Sequence, residues 1–339
     1  LTAGPHRTGR PRIGVVGAGA LGYHHLRLLR TLPRVEVVGF HDRRPERAAA
    51  VAAELGVRAF PSLDALLDAV DALTVVVPTS AHFDVARVAL ERGTHLLIEK
   101  PLAASVEQAE ALLAIAGRTG ALVQTGHVER FNRAIRAALP YIDGPRFIES
   151  DRLAPFTPRG ADVAVVLDLM IHDIDLVQTL VRDRVADVQA IGVPLLTPSV
   201  DIANARLAFV GGAVANITAS RVSRERLRKI RIFQPSGYCS LDLAHGTGEF
   251  YRLRREVDLP ALARSTGPVE IDAFVERIAL EAPAGEPLAL ELESFVAAIR
   301  GEQPVVVTGE DGRDALATAM RIVAEIEQHG GPPLVPAGS

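Results

Sequence analysis

Hydrophobic and polar positions fall into two textures along the chain, and the change comes near residue 128. Up to that point short apolar, β-branched runs alternate with Ala-, Leu-, Glu- and Arg-rich stretches of helical spacing. The runs, predicted as strands, are Arg12–Val16, Val35–Phe40, Ala72–Val77, Thr94–Ile98 and Ala121–Gln124. The stretches, predicted as helices, are Leu21–Leu32, Pro45–Leu55, Ser62–Ala69, His82–Arg92 and Ser105–Thr119. Regular alternation of strand and helix predicts a parallel, doubly wound α/β sheet with helices on both faces. Strands that are apolar on both sides fit burial on both sides.

After residue 128 a polar, Pro-rich stretch runs through Pro155 and Pro158, followed by a helical pattern from about Asp162 to Leu180. Six runs then alternate with period two: Ala186–Val193, Ala203–Val210, Ala213–Val222, Lys229–Phe233, Tyr238–Leu243 and Glu249–Val257. Gly211-Gly212 and Pro235-Ser236-Gly237 separate neighbouring runs as hairpin turns. The pattern predicts a large, mainly antiparallel open sheet in an α+β domain, with one face solvated or used for binding. Leu288–Arg300 has a helical apolar stripe, and Thr308-Gly309-Glu310-Asp311 predicts a capping box opening a last helix to about Gln328. The resulting division is a flexible tail over 1–10, a first domain over 11–128 and a second over 129–300. A terminal segment and helix, 301–328, is expected to pack back on the first domain.

Composition narrows the function classes. With 339 residues there is room for two cores, and a formal charge of −4 gives no case for nucleic acid or an anionic membrane. No apolar run approaches the ~18 residues of a membrane span. The first ten residues lack the apolar centre of a signal peptide. Cys239 is the single cysteine, which excludes an intrachain disulfide and a zinc site of several thiolates. These features predict a cytoplasmic protein.

The chemistry begins at Gly17-Ala18-Gly19-Ala20-Leu21-Gly22, which follows the first strand and opens the first helix. In a G-x-G-x-x-G turn Gly17 permits the tight bend, Gly19 lets backbone approach a pyrophosphate, and Gly22 lets helix pack on strand. The amides of Ala20 and Leu21 stand at the helix N-terminus, where phosphate binds. Asp42 ends the second strand twenty positions beyond Gly22 and can accept from the adenosine ribose hydroxyls, which favours NAD. Arg43 and Arg44 follow it, and an arginine there could tolerate the extra phosphate of NADP. Pro78, Thr79 and His82, past the third strand, and Glu99 and Lys100, past the fourth, complete the expected cofactor contacts. Ligands of such sheets bind beyond the carboxyl ends of the strands, where Lys100 can donate to a substrate oxygen.

Three segments together carry a resemblance. The G-A-G-A-L-G turn, Glu99-Lys100-Pro101 and Asp168-Leu169-Met170-Ile171-His172 are similar to the Gfo/Idh/MocA oxidoreductases over nearly the whole chain. The resemblance implies a Rossmann domain joined to a domain with a large open sheet, and NAD-dependent oxidation of a sugar, cyclitol or related alcohol. It implies Lys100, Asp168 and His172 as catalytic residues. Spacing agrees: on a helix Asp168 and His172 share one face. A histidine suits removal of a hydroxyl proton as hydride leaves, and Lys100 would stabilise the alkoxide. No metal is required.

Two segments, Gly126-His127-Val128-Glu129-Arg130-Phe131-Asn132 and Asp168–Asp175, resemble the part of that family that oxidises the 3-hydroxyl of UDP-N-acetylglucosamine. A UDP-sugar needs cations for its diphosphate. The expected substrate contacts are His127, Arg130, Asn132, Arg159 and Arg221, with Arg152 and Arg224 as further candidates. Two alternatives stay open: an inositol, free sugar or sugar acid as substrate, or a cofactor-binding regulatory protein that turns nothing over. The family also implies a homo-oligomer, dimer or tetramer.

Overall fold

The computed structural model describes residues 9–157, 163–255 and 274–329. Two compact units emerge, one of residues up to Phe131 with Gly285–Ala317, the other of Asn132–Ala284 with the residues from Thr318 onward. The boundary near residue 128 therefore lies close to the one in the structure.

In the first unit β1 (Arg12–Val16), β2 (Glu36–His41), β3 (Ala72–Val75), β4 (His95–Glu99) and β5 (Val123–Gly126) form one parallel sheet in the order β2-β1-β3-β4-β5. The order reverses at β1, so a crevice opens beyond the carboxyl ends of β1 and β3. The helices are α1 (Ala20–Leu29), α2 (Pro45–Leu55), α3 (Leu63–Leu67), α4 (His82–Glu91) and α5 (Val106–Thr119). Their starts follow local chemistry: Ser62 and Ser105 cap α3 and α5 by accepting from the amides of Ala65 and Gln108.

The helix α8 (Pro287–Ile299, after α6 and α7 below) belongs to this first unit, not to the second domain where its position in the chain had placed it. Leu292, Phe295 and Val296 sit in one core with Ile13, Leu26, Leu29 and Phe40. An amphipathic stripe specifies that a helix is buried but not against which sheet, and burying a Phe such as Phe295 is worth about 1.5–3 kcal/mol wherever it goes. The capping box is present: the Thr308 amide donates to Asp311 and the Asp311 amide to Thr308 Oγ1. It opens α9 (Gly309–Gln328). Val307 and Thr308 lie along β5, where the Thr125 amide donates to the Val307 carbonyl. From Thr318 onward the helix belongs to the second unit, with Arg321 donating to the carbonyls of Val185 and Ala186. The terminal segment is thus shared between units rather than packed wholly on the first.

Among the described residues the second unit contains α6 (Arg133–Ala138), α7 (Ile171–Val181) and eight strands: β6 (Phe147–Leu153), β7 (Val185–Val193), β8 (Ile202–Phe209), β9 (Val214–Ser220), β10 (Leu227–Gln234), β11 (Gly237–Asp242), β12 (Thr247–Leu253) and β13 (Val275–Leu280). Their order is β13-β12-β11-β10-β6-β9-β8-β7, antiparallel except for the β6–β9 pair. The hairpin turns expected at Gly211-Gly212 and Pro235–Gly237 are in place. The end of the last expected run, at Val257, and the start of the expected helix at Asp162 lie outside the described residues.

Strand β6 did not stand out in the sequence, yet it is central. Its alternate residues Ile148, Ser150 and Arg152 are buried. Asp173 of α7 binds two of them, accepting from Ser150 Oγ at 2.9 Å and from Arg152 through Nε at 2.5 Å and Nη2 at 3.2 Å. Polar residues facing inward erase the apolar alternation by which a strand is recognised. Phe147, on the other face of β6, begins a row of stacked rings that continues through Phe233, Tyr238 and Tyr251, with centroids 5.7, 5.3 and 4.7 Å apart.

Candidate active site

The cofactor side is built entirely from the first unit. Gly17 has φ +90°, and a Cβ there would lie 2.3 Å from the Val76 carbonyl oxygen; at Gly22 a Cβ would lie 1.9 Å from the Gly17 carbonyl oxygen. Both glycines are required by the fold of the turn itself. Gly19 differs: its φ is −63° and a Cβ would meet nothing within 4 Å. Ala20 and Leu21 beside it are exposed. The fold gives no reason for a glycine at position 19, whereas a dinucleotide pyrophosphate approaching the helix N-terminus does. The residues present fit that group. Gly19→Ala is accordingly expected to leave the unfolding free energy of the cofactor-free protein within about 0.5–1 kcal/mol of its original value, the change going toward greater stability. It should weaken NAD binding roughly tenfold or more, as a group forced off its contact would. Denaturant unfolding and titration calorimetry check the two halves.

Asp42 lies at the end of β2, nearly buried. It accepts from the Ala18 amide (2.8 Å), the Arg44 amide (2.9 Å) and the Arg44 guanidinium, through Nε and Nη2, both at 3.0 Å. Burial alone would push its carboxyl up, but the hydrogen bonds from the Arg44 side chain and from the Arg44 and Ala18 amides outweigh it and hold the pKa down at about 2. The carboxylate is therefore ionised throughout the neutral range. Arg43 is exposed beside it. Arg47 was not anticipated: from α2 its Nε donates to the Ala18 carbonyl at 2.7 Å, so the Ala18 residue is held from both sides.

Pro78 and Thr79 stand at the end of the β3 segment, Pro78 exposed and Thr79 half-buried. His82 is placed differently from expectation. It is buried, with Nδ1 2.9 Å from the Pro101 carbonyl and Nε2 3.0 Å from that of Val77. Burial lowers its pKa. The ring thus ties together the segments after β3 and β4 through the Val77 and Pro101 carbonyls.

Glu99 ends β4, and Lys100 follows, half-buried. The Glu99 carboxylate lies against Gly126 of β5, where a Cβ would come within 2.9 Å of it, and against His25, whose Nε2 is 3.1 Å from Oε1. His25 is completely buried. This pair, absent from the expectations, anchors the residue next to Lys100. Its signal in the sequence is a histidine on the apolar face of α1, one turn beyond Gly22.

In the second unit Val166–Met170 forms a wide π turn that runs directly into α7. Asp168 lies within it and His172 at the start of α7, and both are half-buried whereas Asp173 and Asp175 are buried. Turns of this kind occur mostly as single bulges and often at functional sites. The expected regular helix across Asp168 and His172 is thus interrupted at Asp168.

Several expected substrate residues are engaged in the fold. Arg130 donates to Asp311 (3.2 Å) and to the Val306 carbonyl. Asn132 caps α6 through the Ala134 amide and donates to the Leu243 carbonyl. Arg221 is buried beside Asp201, 3.8 Å away, and donates to the Val163 carbonyl. Arg152 serves Asp173. These side chains have structural work that a diphosphate would have to displace. His127 is completely buried. Arg159 lies outside the described residues, and Arg224 is exposed just beyond β9.

The family model described as "Oxidoreductase family, NAD-binding Rossmann fold" matches residues 11–127, and the "GFO/IDH/MocA C-terminal domain" matches residues 144–238. The chain is 41% identical to a UDP-N-acetylglucosamine 3-dehydrogenase of Acidithiobacillus ferrooxidans, across 93% of this chain and 97% of the relative. A solved structure of the A. ferrooxidans UDP-N-acetylglucosamine 3-dehydrogenase GnnA superposes with a TM-score of 0.85, at 39% identity, over 94% of this chain and 98% of that one. A scyllo-inositol 2-dehydrogenase (NAD(+)) of Bacillus subtilis is 32% identical over 62% of this chain and 68% of its own length.

Proposed function

The chain belongs to the GFO/IDH/MocA oxidoreductase family, and from that premise we propose that it oxidises the 3-hydroxyl of UDP-N-acetylglucosamine to the 3-keto sugar, with NAD as acceptor. The likeness to a UDP-N-acetylglucosamine 3-dehydrogenase along nearly the full length of both chains carries the choice of substrate. The inositol dehydrogenase is matched over less of the chain and at lower identity.

The glycine turn, Asp42, Pro78 and Thr79 hold the cofactor, which when bound supplies the hydride acceptor. NAD is favoured over NADP because the ionised Asp42 would repel a 2′-phosphate and because the Arg44 fork is already engaged by that carboxylate. On the substrate side His172 takes the hydroxyl proton, the role for which an imidazole is suited. Lys100 donates to the same oxygen and stabilises the charge that develops on it. Asp168 accepts from the imidazole or from a neighbouring sugar hydroxyl. Arg224, which is exposed, is proposed as a cation for the diphosphate, and Arg159 as a second from its residue type alone.

The test is NADH formation with UDP-N-acetylglucosamine, myo-inositol and glucose supplied separately. Turnover of the nucleotide sugar in preference to the other two is expected. Turnover of myo-inositol alone would replace this substrate with the alternative.

A further inference from the structure

Lys100 stands between two buried histidines, each of which reaches it through a neighbour in the chain. On one side His25 of α1, with no exposed surface, places Nε2 3.1 Å from Oε1 of Glu99. On the other side His82 of α4, equally buried, places Nδ1 2.9 Å from the Pro101 carbonyl oxygen. Both helices begin beside proposed cofactor contacts: α1 follows Gly19 of the glycine turn, and α4 follows the short turn of Thr79–Ala81. Lys100 is therefore tied, one residue away on either side, to the two segments proposed to hold the cofactor. An apolar side chain at 25 or 82 would pack without the desolvation cost of an imidazole, but it would set no direction. Gly126 confines the Glu99 carboxylate from a third side, since a Cβ there would lie 2.9 Å from it.

We propose that His25 and His82 are positioning residues for Lys100, and that through Glu99 and Pro101 they hold its amine in place against the bound cofactor. The inference rests on the reading above in which Lys100 donates to the reacting oxygen. It gives two residues outside the catalytic set a share of kcat that they exert only through Lys100.

The chain has two lysines, Lys100 and Lys229, and Lys229 is exposed on β10 of the other unit. Lysine labelled with 13C at Cε therefore gives one signal for Lys100 beside an internal reference. The imidazole contacts can also be kept one at a time, because glutamine places a nitrogen near Nε2 and asparagine near Nδ1. His25→Gln keeps a donor toward Glu99, and His25→Leu removes it. His82→Asn keeps a donor toward Pro101, whereas His82→Gln keeps one only toward the Val77 carbonyl, 3.0 Å from Nε2.

The experiment measures kcat with UDP-N-acetylglucosamine and NAD, the NAD dissociation constant, thermal unfolding and the Lys100 signal. The proteins are the full chain, these four variants, Lys100→Met, and Lys100→Met combined with His25→Leu or with His82→Gln. His25→Leu and His82→Gln are expected to lose roughly 10- to 100-fold in kcat, the cost of a misplaced group. Their Lys100 signal should move while that of Lys229 stays. His25→Gln and His82→Asn should recover most of the loss. In the Lys100→Met background each histidine change should cost less than about threefold, because nothing is left to position. Should His25→Leu fail to fold, the His82 variants make the same comparison. Equal losses with and without Lys100, higher kcat in His82→Gln than in His82→Asn, or an unmoved Lys100 signal in the folded variants would each overturn the proposal. Near-full kcat in Lys100→Met, or no turnover by the unaltered chain, would instead refute the reading beneath it. The Lys100 signal still decides in that case whether the histidines fix its place.

Discussion

Replacing His172 with Ala is expected to lower kcat by roughly 100- to 10,000-fold, the usual contribution of a positioned general base. The NAD dissociation constant should stay unchanged, because the residues proposed to hold the cofactor lie in the first unit, whereas His172 lies in the first turn of α7 of the second unit. Lys100→Met should cost on the order of 100- to 1,000-fold in kcat, as loss of one donor to a developing oxyanion does. Steady-state kinetics beside calorimetric binding separates the two quantities. Variants that keep near-full kcat would remove these two residues from the chemistry, whereas the non-catalytic, cofactor-binding alternative predicts no turnover even by the unaltered chain.

The second large effect is on stability. Asp173→Ala removes the carboxylate toward which Ser150 Oγ and two nitrogens of Arg152 point, all of them buried. Breaking a buried ion pair from one side costs about 3–5 kcal/mol, a large share of the ~5–15 kcal/mol that holds a typical protein folded. Because Asp173 follows His172 directly, its bonds to β6 also fix the rotation of α7. The variant should therefore lose stability in urea unfolding and lose kcat together. A change below about 1 kcal/mol would show that α7 is held by its apolar contacts instead.

Much of this architecture is legible in the sequence because the physics is local. Period-two and helical patterns report burial directly, and Ser62, Ser105 and Thr308 mark helix starts by the hydrogen bonds they can make. Glycines at 17 and 22 are explained by atoms within a few residues of them or on the adjacent strand. What escaped depends on partners distant in the chain. Strand β6 hides because Ser150 and Arg152 face a carboxylate on α7, and polar inward residues look like a loop until that partner is known. The α8 stripe says that the helix is buried without naming the sheet that buries it. The arginines show the same limit most clearly. Arg130, Arg152 and Arg221 have the chemistry for a diphosphate, but Asp311, Asp173 and Asp201 engage them in the fold. Asp42 and Arg44, two positions apart, form a pair of the local kind that a sequence can show.

The most direct test of the central claim uses UDP-N-acetylglucosamine carrying deuterium at C3 of the sugar, incubated with the protein and NAD. If the chain oxidises the 3-hydroxyl, the deuterium is transferred to the nicotinamide, mass spectrometry finds it in the NADH, and the rate falls where hydride transfer limits turnover. NADH that forms without the label, or no NADH from this substrate under conditions where the cofactor binds, would contradict the account.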